Sequence, residues 1–338
     1  MRSSSVKYRN LNSSRRFGVE IEMGHEIKKK QVQVLLNKHS LYPTVITRYA
    51  LSSNNLYWHV KDDATCGIHG RYGPKGVEIA SYIGSGIGDI DHISNTAEKL
   101  AQSGCRVNDN CGLHIHAEVL DLTPAQIGVV MAHWIKFEHL LSLALPVRRR
   151  NNEFCRYTIH PCASSADYCG KIVRQETYDA ISFCNMIMPQ NIAIYDNHDR
   201  RINLNLVNLA RSLFHKNSYR RTMELRWPEG TLDARDIRCW LHLFLSFIEN
   251  TKNRSMPKNL YSCDLDEGLS YLGMNHERGK FIILSQGLFE TKTWFLERIL
   301  KFYKENVDFS HNPIYAASVA ISTQKALRKM WHPVRKYN

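Results

Sequence analysis

Phe17-Gly18-Val19-Glu20-Ile21-Glu22-Met23-Gly24 is the stretch from which the fold is read. As a β-strand, it places Phe17, Val19, Ile21 and Met23 on one face and Glu20 and Glu22 on the other. Carboxylates one strand repeat apart stand roughly 7 Å apart at Cα. They repel, so both stay ionised near neutral pH only where water or a cation compensates them. Hard divalent cations take oxygen ligands, and Mg²⁺ keeps several waters while joining carboxylates to phosphates. A solvated edge strand could carry the same eight residues. Repetition of the pattern along the chain weighs against that.

Five further segments are two-faced in the same way. In 56–63, Trp58 and Val60 oppose His59, Lys61 and Asp63; in 77–81, Val77 and Ile79 oppose Glu78. In 111–119, Leu113, Ile115, Ala117 and Val119 oppose His114, His116 and Glu118. In 201–207, Arg201, Asn203 and Asn205 form the polar side, and in 221–227 Thr222, Glu224 and Arg226 oppose Met223, Leu225 and Trp227. Six such strands predict an α+β fold, with one curved antiparallel sheet whose apolar outer face is covered by helices. Its concave face would gather Glu20, Glu22, Asp63, Glu78, His114, His116, Asn205, Glu224 and Arg226. A routine solvated face mixes Thr, Lys, Ser and Gln. Carboxylates and imidazoles beside an arginine are ligands for metal and phosphate, so the set reads as an active site.

Helical spacing covers 28–40, where Val32, Leu35, Leu36 and His39 recur. Asp89 is the expected N-cap of a second helix, with Ile90, Ile93, Ala97 and Leu100 on its buried side and a stop at Gly104. Thr123-Pro124-Ala125-Gln126 combines capping-box spacing with proline at the first helical position, opening a long apolar helix that ends before Pro146. Helices are also expected over 234–249, 291–304 and 313–331. The implied organisation is a flexible lead-in over 1–15, a catalytic core over 16–250, and a helical C-terminal extension, 251–338, packed on that core. Substrate loops are expected at 41–56, 66–75 and 150–200.

Lys and Arg number 45 against 32 Asp and Glu, and the resulting +13 favours a polyanionic partner such as nucleotide phosphates, nucleic acid or an acidic peptide. The first residues, MRSSSVKYRNLNSSRR, are basic and Ser-rich without the apolar region of a secretory signal, and no apolar run is long enough to span a membrane. Nine cysteines without a regular framework suit reduced thiols in a cytoplasm.

The ordered motifs carry a resemblance. Glu-x-Glu at 20–22 is followed by Asp63-Ala64-Thr65, Gly76-Val77-Glu78-Ile79-Ala80-Ser81 and Val107-Asn108-Asp109-Asn110-Cys111-Gly112-Leu113-His114-Ile115-His116. Arg201-Ile202-Asn203-Leu204-Asn205-Leu206 and Thr222-Met223-Glu224-Leu225-Arg226-Trp227-Pro228-Glu229-Gly230-Thr231-Leu232-Asp233 complete the series. Together they resemble the amidoligase family over roughly 16–250, as does the segment from Leu145 to Cys155. That family is similar in its core to glutamine synthetases and glutamate–cysteine ligases. The resemblance implies ATP-dependent joining of a carboxylate to an amine through an acyl phosphate, with two or more Mg²⁺ ions, or Mn²⁺ in their place. It implies that Glu20, Glu22, Glu78, Glu224 and His114 hold the metals. His116, Arg201, Asn205 and Arg226 would face the nucleotide, with Arg226, His116 and Asp63 acting in catalysis. The family's Asp-Gly-Ser is here Asp63-Ala64-Thr65: the hydroxyl is kept and the glycine lost. The implied partners are ATP, an amine, and a carboxylate borne by a peptide, protein or amino acid.

Other signals are weaker. No Gly-x4-Gly-Lys-Ser/Thr occurs, which argues against a P-loop enzyme. Cys155, Cys162 and Cys169 recur every seven residues around His160, but no Cys-x2-Cys pair supports zinc. Arg148–Arg150 reads as a solvated basic face, with a rim clamp for an acidic ligand as the functional option. The rival class is a metal-dependent nuclease or a basic nucleic-acid binder, resting on the charge and on Trp58 and Tyr72 as exposed aromatics. A degenerate ligase fold serving as a scaffold is a third possibility, opposed by the retained acidic set.

Overall fold

The computed structural model describes residues 7–9, 14–24, 27–47, 56–67, 75–150, 152–158, 201–209, 212, 221–260, 262–274, 282–284, 286–305 and 312–331. Most of the three expected substrate loops, together with Tyr72, His160, Cys162 and Cys169, lies outside those residues. The strands among them are β1 (Lys7–Arg9), β2 (Arg16–Met23), β3 (Thr44–Ile46), β4 (Trp58–Asp63), β5 (Gly76–Ala80), β6 (Gly84–Ser85), β7 (Leu113–Glu118), β8 (Leu204–Asn205), β9 (Thr222–Leu225) and β10 (Ile282–Leu284). The chain divides into two compact units. One comprises Asn12–Asp121 with Ala180–Leu245; the other comprises Met1–Leu11, Leu122–Asp179 and Ser246–Asn338.

The first unit is built on an eight-stranded sheet of order β3-β4-β5-β2-β7-β9-β8, with β6 also pairing with β2. β2, whose alternation opened the sequence reading, sits between β5 and β7 and runs antiparallel to both. All six expected strands are present. β3 and β6 were not foreseen, and β3 pairs with β4 in parallel, so the sheet is mostly rather than wholly antiparallel. Three residues of Thr-Val-Ile carry no alternation that could have announced β3. The expected strand at 201–207 shrinks to Leu204–Asn205, extended by a bond from the Arg226 N–H to the Asn203 carbonyl, 2.7 Å.

Alternation sorts the two faces as expected. Phe17, Val19, Ile21, Met23, Trp58, Val60, Val77, Ile79, Leu113, Ile115, Met223 and Leu225 are all buried. Each such aliphatic side chain contributes about 1.5–3 kcal/mol relative to exposure. Helix α1 (Lys29–His39) buries Val32 and Leu36 and packs on β3 and β4. Helix α2 (Gly86–Gln102) buries Ile90, Ile93, Ala97 and Leu100. Two expectations fail here. Asp89 is not the N-cap: Ser85 is, because Gly86, at φ 73°, turns the chain into the helix earlier. Asp89 instead accepts the Ser85 N–H at 2.7 Å from inside the first turn. Trp58 is wholly buried rather than an exposed stacking platform, its indole N–H donating to Ser40 Oγ at 2.7 Å.

The second unit is mainly helical. Helix α3 (Pro124–Leu141) begins as expected: Thr123 Oγ1 accepts the Gln126 N–H, and the Gln126 side chain accepts the Thr123 N–H. A 3₁₀ turn, Ser142–Ala144, ends it before Pro146. Among the described residues this unit also contains helices Val147–Arg150, Leu265–Tyr271, Gln286–Lys301 and Pro313–Trp331, the first two unforeseen. The Ala234–Thr251 helix is divided between the units at Leu245 and Ser246. In this unit Phe137 stacks on Phe247, with centroids 5.2 Å apart, and Trp134 meets Phe247 edge-on at 5.2 Å. Gly268 permits a close approach: a Cβ there would lie 2.1 Å from Leu140 Cδ2.

Within the segment expected as a lead-in, Lys7–Arg9 pairs in parallel with β10, so that part is strand. Arg149 and Arg150 are not a solvated face. Both are buried, and Arg150 donates from Nε and NH2 to the Leu145 carbonyl at 3.0 and 2.7 Å. Cys155 Sγ donates to the Arg149 carbonyl at 3.4 Å, a structural thiol in a buried turn. No helix among the described residues is long and apolar enough to cross a membrane.

Candidate active site

Strand register brings the polar residues together in three rows. Lys61 on β4 lies opposite Glu78 on β5, which lies opposite Glu22 on β2. One pleat further along, Glu20 lies opposite His114 on β7. His116 lies opposite Glu224 on β9, which lies opposite Asn205 on β8. Directly paired residues share a face with Cβ atoms about 4.5–5.5 Å apart, and like charges in that position destabilise a sheet. Glu22 facing Glu78 is such a pair, and its cost calls for positive charge close by.

Glu224 is the most enclosed member. It is wholly buried and accepts from Asn205 Nδ2 at 2.6 Å and from Arg226 NH1, and its Oε1 lies 3.9 Å from both His114 Nδ1 and His116 Nε2. Burial alone would raise its pKa, but Arg226, His116 and His114 outweigh that and hold it at about 2. Glu20 is less enclosed, with Oε2 3.5 Å from His114 Nδ1 and Oε1 3.3 Å from His116 Nε2. Burial opposes its ionisation, yet His116, His114 and Lys61 keep it well below the usual carboxylate range. His116 is drawn the other way: burial disfavours the imidazolium, and Glu224 with Glu20 prevails and raises its pKa. Glu20, His116 and Glu224 offer ligand atoms all within 4.8 Å of one another.

Glu22 is buried, accepts the Gly112 N–H at 2.6 Å, and lies 3.7 Å from His114 Nε2. Glu78 is held well above the ordinary carboxylate range by burial and by Glu20, with Lys61 Nζ, 2.6 Å from Oε1, working against both. Asp63 accepts both the N–H and the hydroxyl of Thr65 at 2.6 Å, so the retained hydroxyl of Asp-Ala-Thr closes the turn that the family's glycine would have eased. Burial opposes ionisation of Asp63, and the Thr65 bonds and Lys61 lower its pKa nonetheless. Arg226 stays charged against the cost of burial because Glu224 and Glu20 face it.

Glu20, Glu22, Glu78, His114, His116, Glu224, Arg226, Asn205 and Asp63 therefore all belong to one face of one unit. For Arg201 only a half-buried place beside β8 is fixed. Sequence reasoning passed over Lys61, although its parity with His59 and Asp63 was visible; its pairing with Glu78 depends on register, which no local pattern reports. It also passed over Cys66, whose thiol lies with Glu22 and Asp63, all ligand atoms within 4.8 Å.

Comparison with known proteins adds a family. A family model described as "Putative amidoligase enzyme" matches residues 13–248. No curated protein sequence matches the chain. Among solved structures, a bifunctional glutathione synthetase from Pasteurella multocida aligns at TM-score 0.41 and 10% identity, over 95% of this chain and 53% of its own. A complex between prokaryotic ubiquitin-like protein Pup and its ligase PafA aligns at TM-score 0.32 and 11% identity, over 95% of this chain and 66% of that one. The chain thus spans about half and about two thirds of those proteins' lengths, and likeness at these scores assigns neither fold detail nor activity.

Proposed function

Because the chain belongs to the amidoligase family, we propose that it is a carboxylate–amine ligase that consumes ATP with Mg²⁺. ATP would phosphorylate a carboxylate, and an amine would displace phosphate from the acyl phosphate, leaving an amide, ADP and phosphate. The observation that carries this is the convergence of Glu20, His116 and Glu224 within 4.8 Å on the central strands, flanked by Glu22, Glu78, His114 and Arg226.

The donor set fits divalent cations. Glu22, Glu78 and Glu224 are buried carboxylates, and His114 Nδ1 is a buried ring nitrogen without a hydrogen bond of ordinary geometry. Glu20, Glu22, Glu78, Glu224 and His114 would hold the ions, which when bound neutralise phosphate charge. Arg226, fixed by Glu224, would present its guanidinium charge to the transferring phosphoryl group, where preorganised charge lowers the barrier. His116 would donate to a phosphate oxygen, since its carboxylate neighbours favour the protonated ring. Asn205 Oδ1 accepts the Val207 N–H at 2.8 Å and its amide holds Glu224, so its part would be to orient that carboxylate beside the nucleotide. Arg201 would reach nucleotide phosphate from the rim. Asp63, kept ionised by Thr65, would take up positive charge on the incoming amine. The face would form the funnel of a glutamine synthetase-like curved sheet. Free thiols at the six described cysteines suit a cytoplasmic setting.

The test is ADP release by the purified chain in the presence of carboxylate–amine pairs, with intact-mass analysis of the product. A product lighter by one water than its two precursors, formed only with ATP and Mg²⁺, is expected. ATP-independent cleavage of DNA or RNA that disappears in Glu20→Gln, with no ADP released from any pair, would replace the ligase by a nuclease.

A further inference from the structure

Two turns hold carboxylates at one end of the polar face. In the first, Asp63 accepts both donors of Thr65 at 2.6 Å, and Cys66 follows. In the second, the Cys111 N–H bonds to the Asn108 carbonyl at 3.1 Å, and the next residue, Gly112, donates its N–H to Glu22 Oε2 at 2.6 Å. Carboxylate oxygens of Glu22 and Asp63 lie within 4.8 Å of each other, and carboxylates so placed repel. Half-buried Asn108 ties the two turns with both ends of its side-chain amide. Its Oδ1 accepts the Asn110 N–H at 2.9 Å and the Cys111 thiol at 3.3 Å, closing its own turn. Its Nδ2 crosses to the first turn and donates to the Cys66 carbonyl at 2.9 Å. The network settles which amide atom is which, since a carbonyl only accepts and a backbone N–H only donates. Behind the first turn, a Cβ at Gly76 would lie 2.6 Å from Cys66 Cβ, so that side leaves it no room to shift.

We propose that Asn108 is a positioning residue of the site: by bolting the 63–66 turn to the 108–112 turn, it sets Asp63 against Glu22. It acts through those two carboxylates and not on the reacting atoms. What the spacing serves rests on the proposed function, in which Glu22 holds a cation and Asp63 receives the amine. Partners that orient a ligand from outside are worth about 10- to 100-fold in metal affinity. Asn108→Asp isolates the crossing bond. The carboxylate keeps the shape and the acceptor side of asparagine, but it has no donor for the Cys66 carbonyl and repels it. Its added negative charge would by itself draw a cation in, so a loss of affinity reports lost position rather than changed charge.

The experiment measures Mn²⁺ binding to the full-length chain by paramagnetic resonance in wild type, Asn108→Asp, Glu22→Gln and the double variant. Asn108→Asp should lower the affinity about tenfold in the wild-type background and change it little once Glu22 is already Gln. Unchanged or higher affinity, or an equal fall in both backgrounds as general loosening would give, overturns the proposal. If wild type binds no Mn²⁺, the hard-cation face fails, and amide exchange followed by NMR decides on Asn108. The Thr65 and Gly112 amides, which hold Asp63 and Glu22, should then exchange faster together in Asn108→Asp, while the Gln126 amide keeps its wild-type rate. Unchanged exchange at Thr65 and Gly112 overturns the proposal. Should circular dichroism show Asn108→Asp unfolded, Asn108→Ser replaces it under the same criteria, since its hydroxyl still accepts within the turn but is too short to reach Cys66. Loss of the fold in both variants would make Asn108 a support of the whole unit and overturns the proposal as well.

Discussion

Glu78 should make cation binding proton-linked. Its carboxyl is buried, faces Glu22 across the β2–β5 pair, and is held well above the ordinary value of 4.5 by burial and by Glu20. Lys61 at 2.6 Å compensates only part of this. In the window above 4.5 and below its raised pKa, Glu78 keeps a proton in the metal-free fold that the unfolded chain gives up. The sign follows: its contribution to stability is complete below the unfolded value and is lost as pH rises through the folded value. The loss runs at up to about 1.4 kcal/mol per pH unit. A divalent cation at the Glu22–Glu78 pair must displace that proton. Binding should then release up to about one proton, and affinity should rise up to about tenfold per pH unit across the window. Calorimetric titration of Mn²⁺ in two buffers of different ionisation enthalpy counts the protons directly. Glu78→Gln should abolish the release and make the metal-free protein more stable than wild type on the alkaline side. Equal heats in both buffers, with identical melting of wild type and Glu78→Gln at every pH, would refute the reasoning.

Arg226→Lys keeps the charge but loses the planar fork, so ATP affinity should largely survive while turnover falls about 10²-fold, as for removal of a comparable transition-state donor. Glu224→Gln leaves Arg226 and His116 without their most buried counter-charge. Chemical denaturation should show a loss of about 3 kcal/mol, and the His116 imidazole should titrate lower by NMR than in wild type. Phe137→Ala opens a cavity beside Phe247 in the helical unit and should cost about 3–5 kcal/mol by the same assay, with metal binding to the sheet face retained.

The faces of the strands were legible because alternation is local: Phe17 to Met23 and Leu113 to Ala117 sort as their parity dictates. The Thr123 cap was legible for the same reason, since all its partners lie within one turn. Register was not legible. Nothing near Lys61 announces Glu78, and nothing near Cys66 announces Glu22, because these meetings depend on how distant strands and turns align. Arg149 and Arg150 misled because a run of charge normally seeks water; here the guanidinium of Arg150 finds the Leu145 carbonyl instead. Asp89 misled because it is a good cap residue lying one turn beyond the true cap, and only the positive φ of Gly86 fixes where the helix begins.

Calorimetric titration of ATP into the chain, with Mg²⁺ and again with a metal chelator, tests the metal–nucleotide face most directly. The acidic side chains at Glu20, Glu22, Asp63 and Glu224 should repel bare triphosphate, so saturable binding is expected with Mg²⁺, none with chelator, and a marked loss in Glu20→Gln. Tight ATP binding in chelator, or no binding of ATP with Mg²⁺, would contradict it.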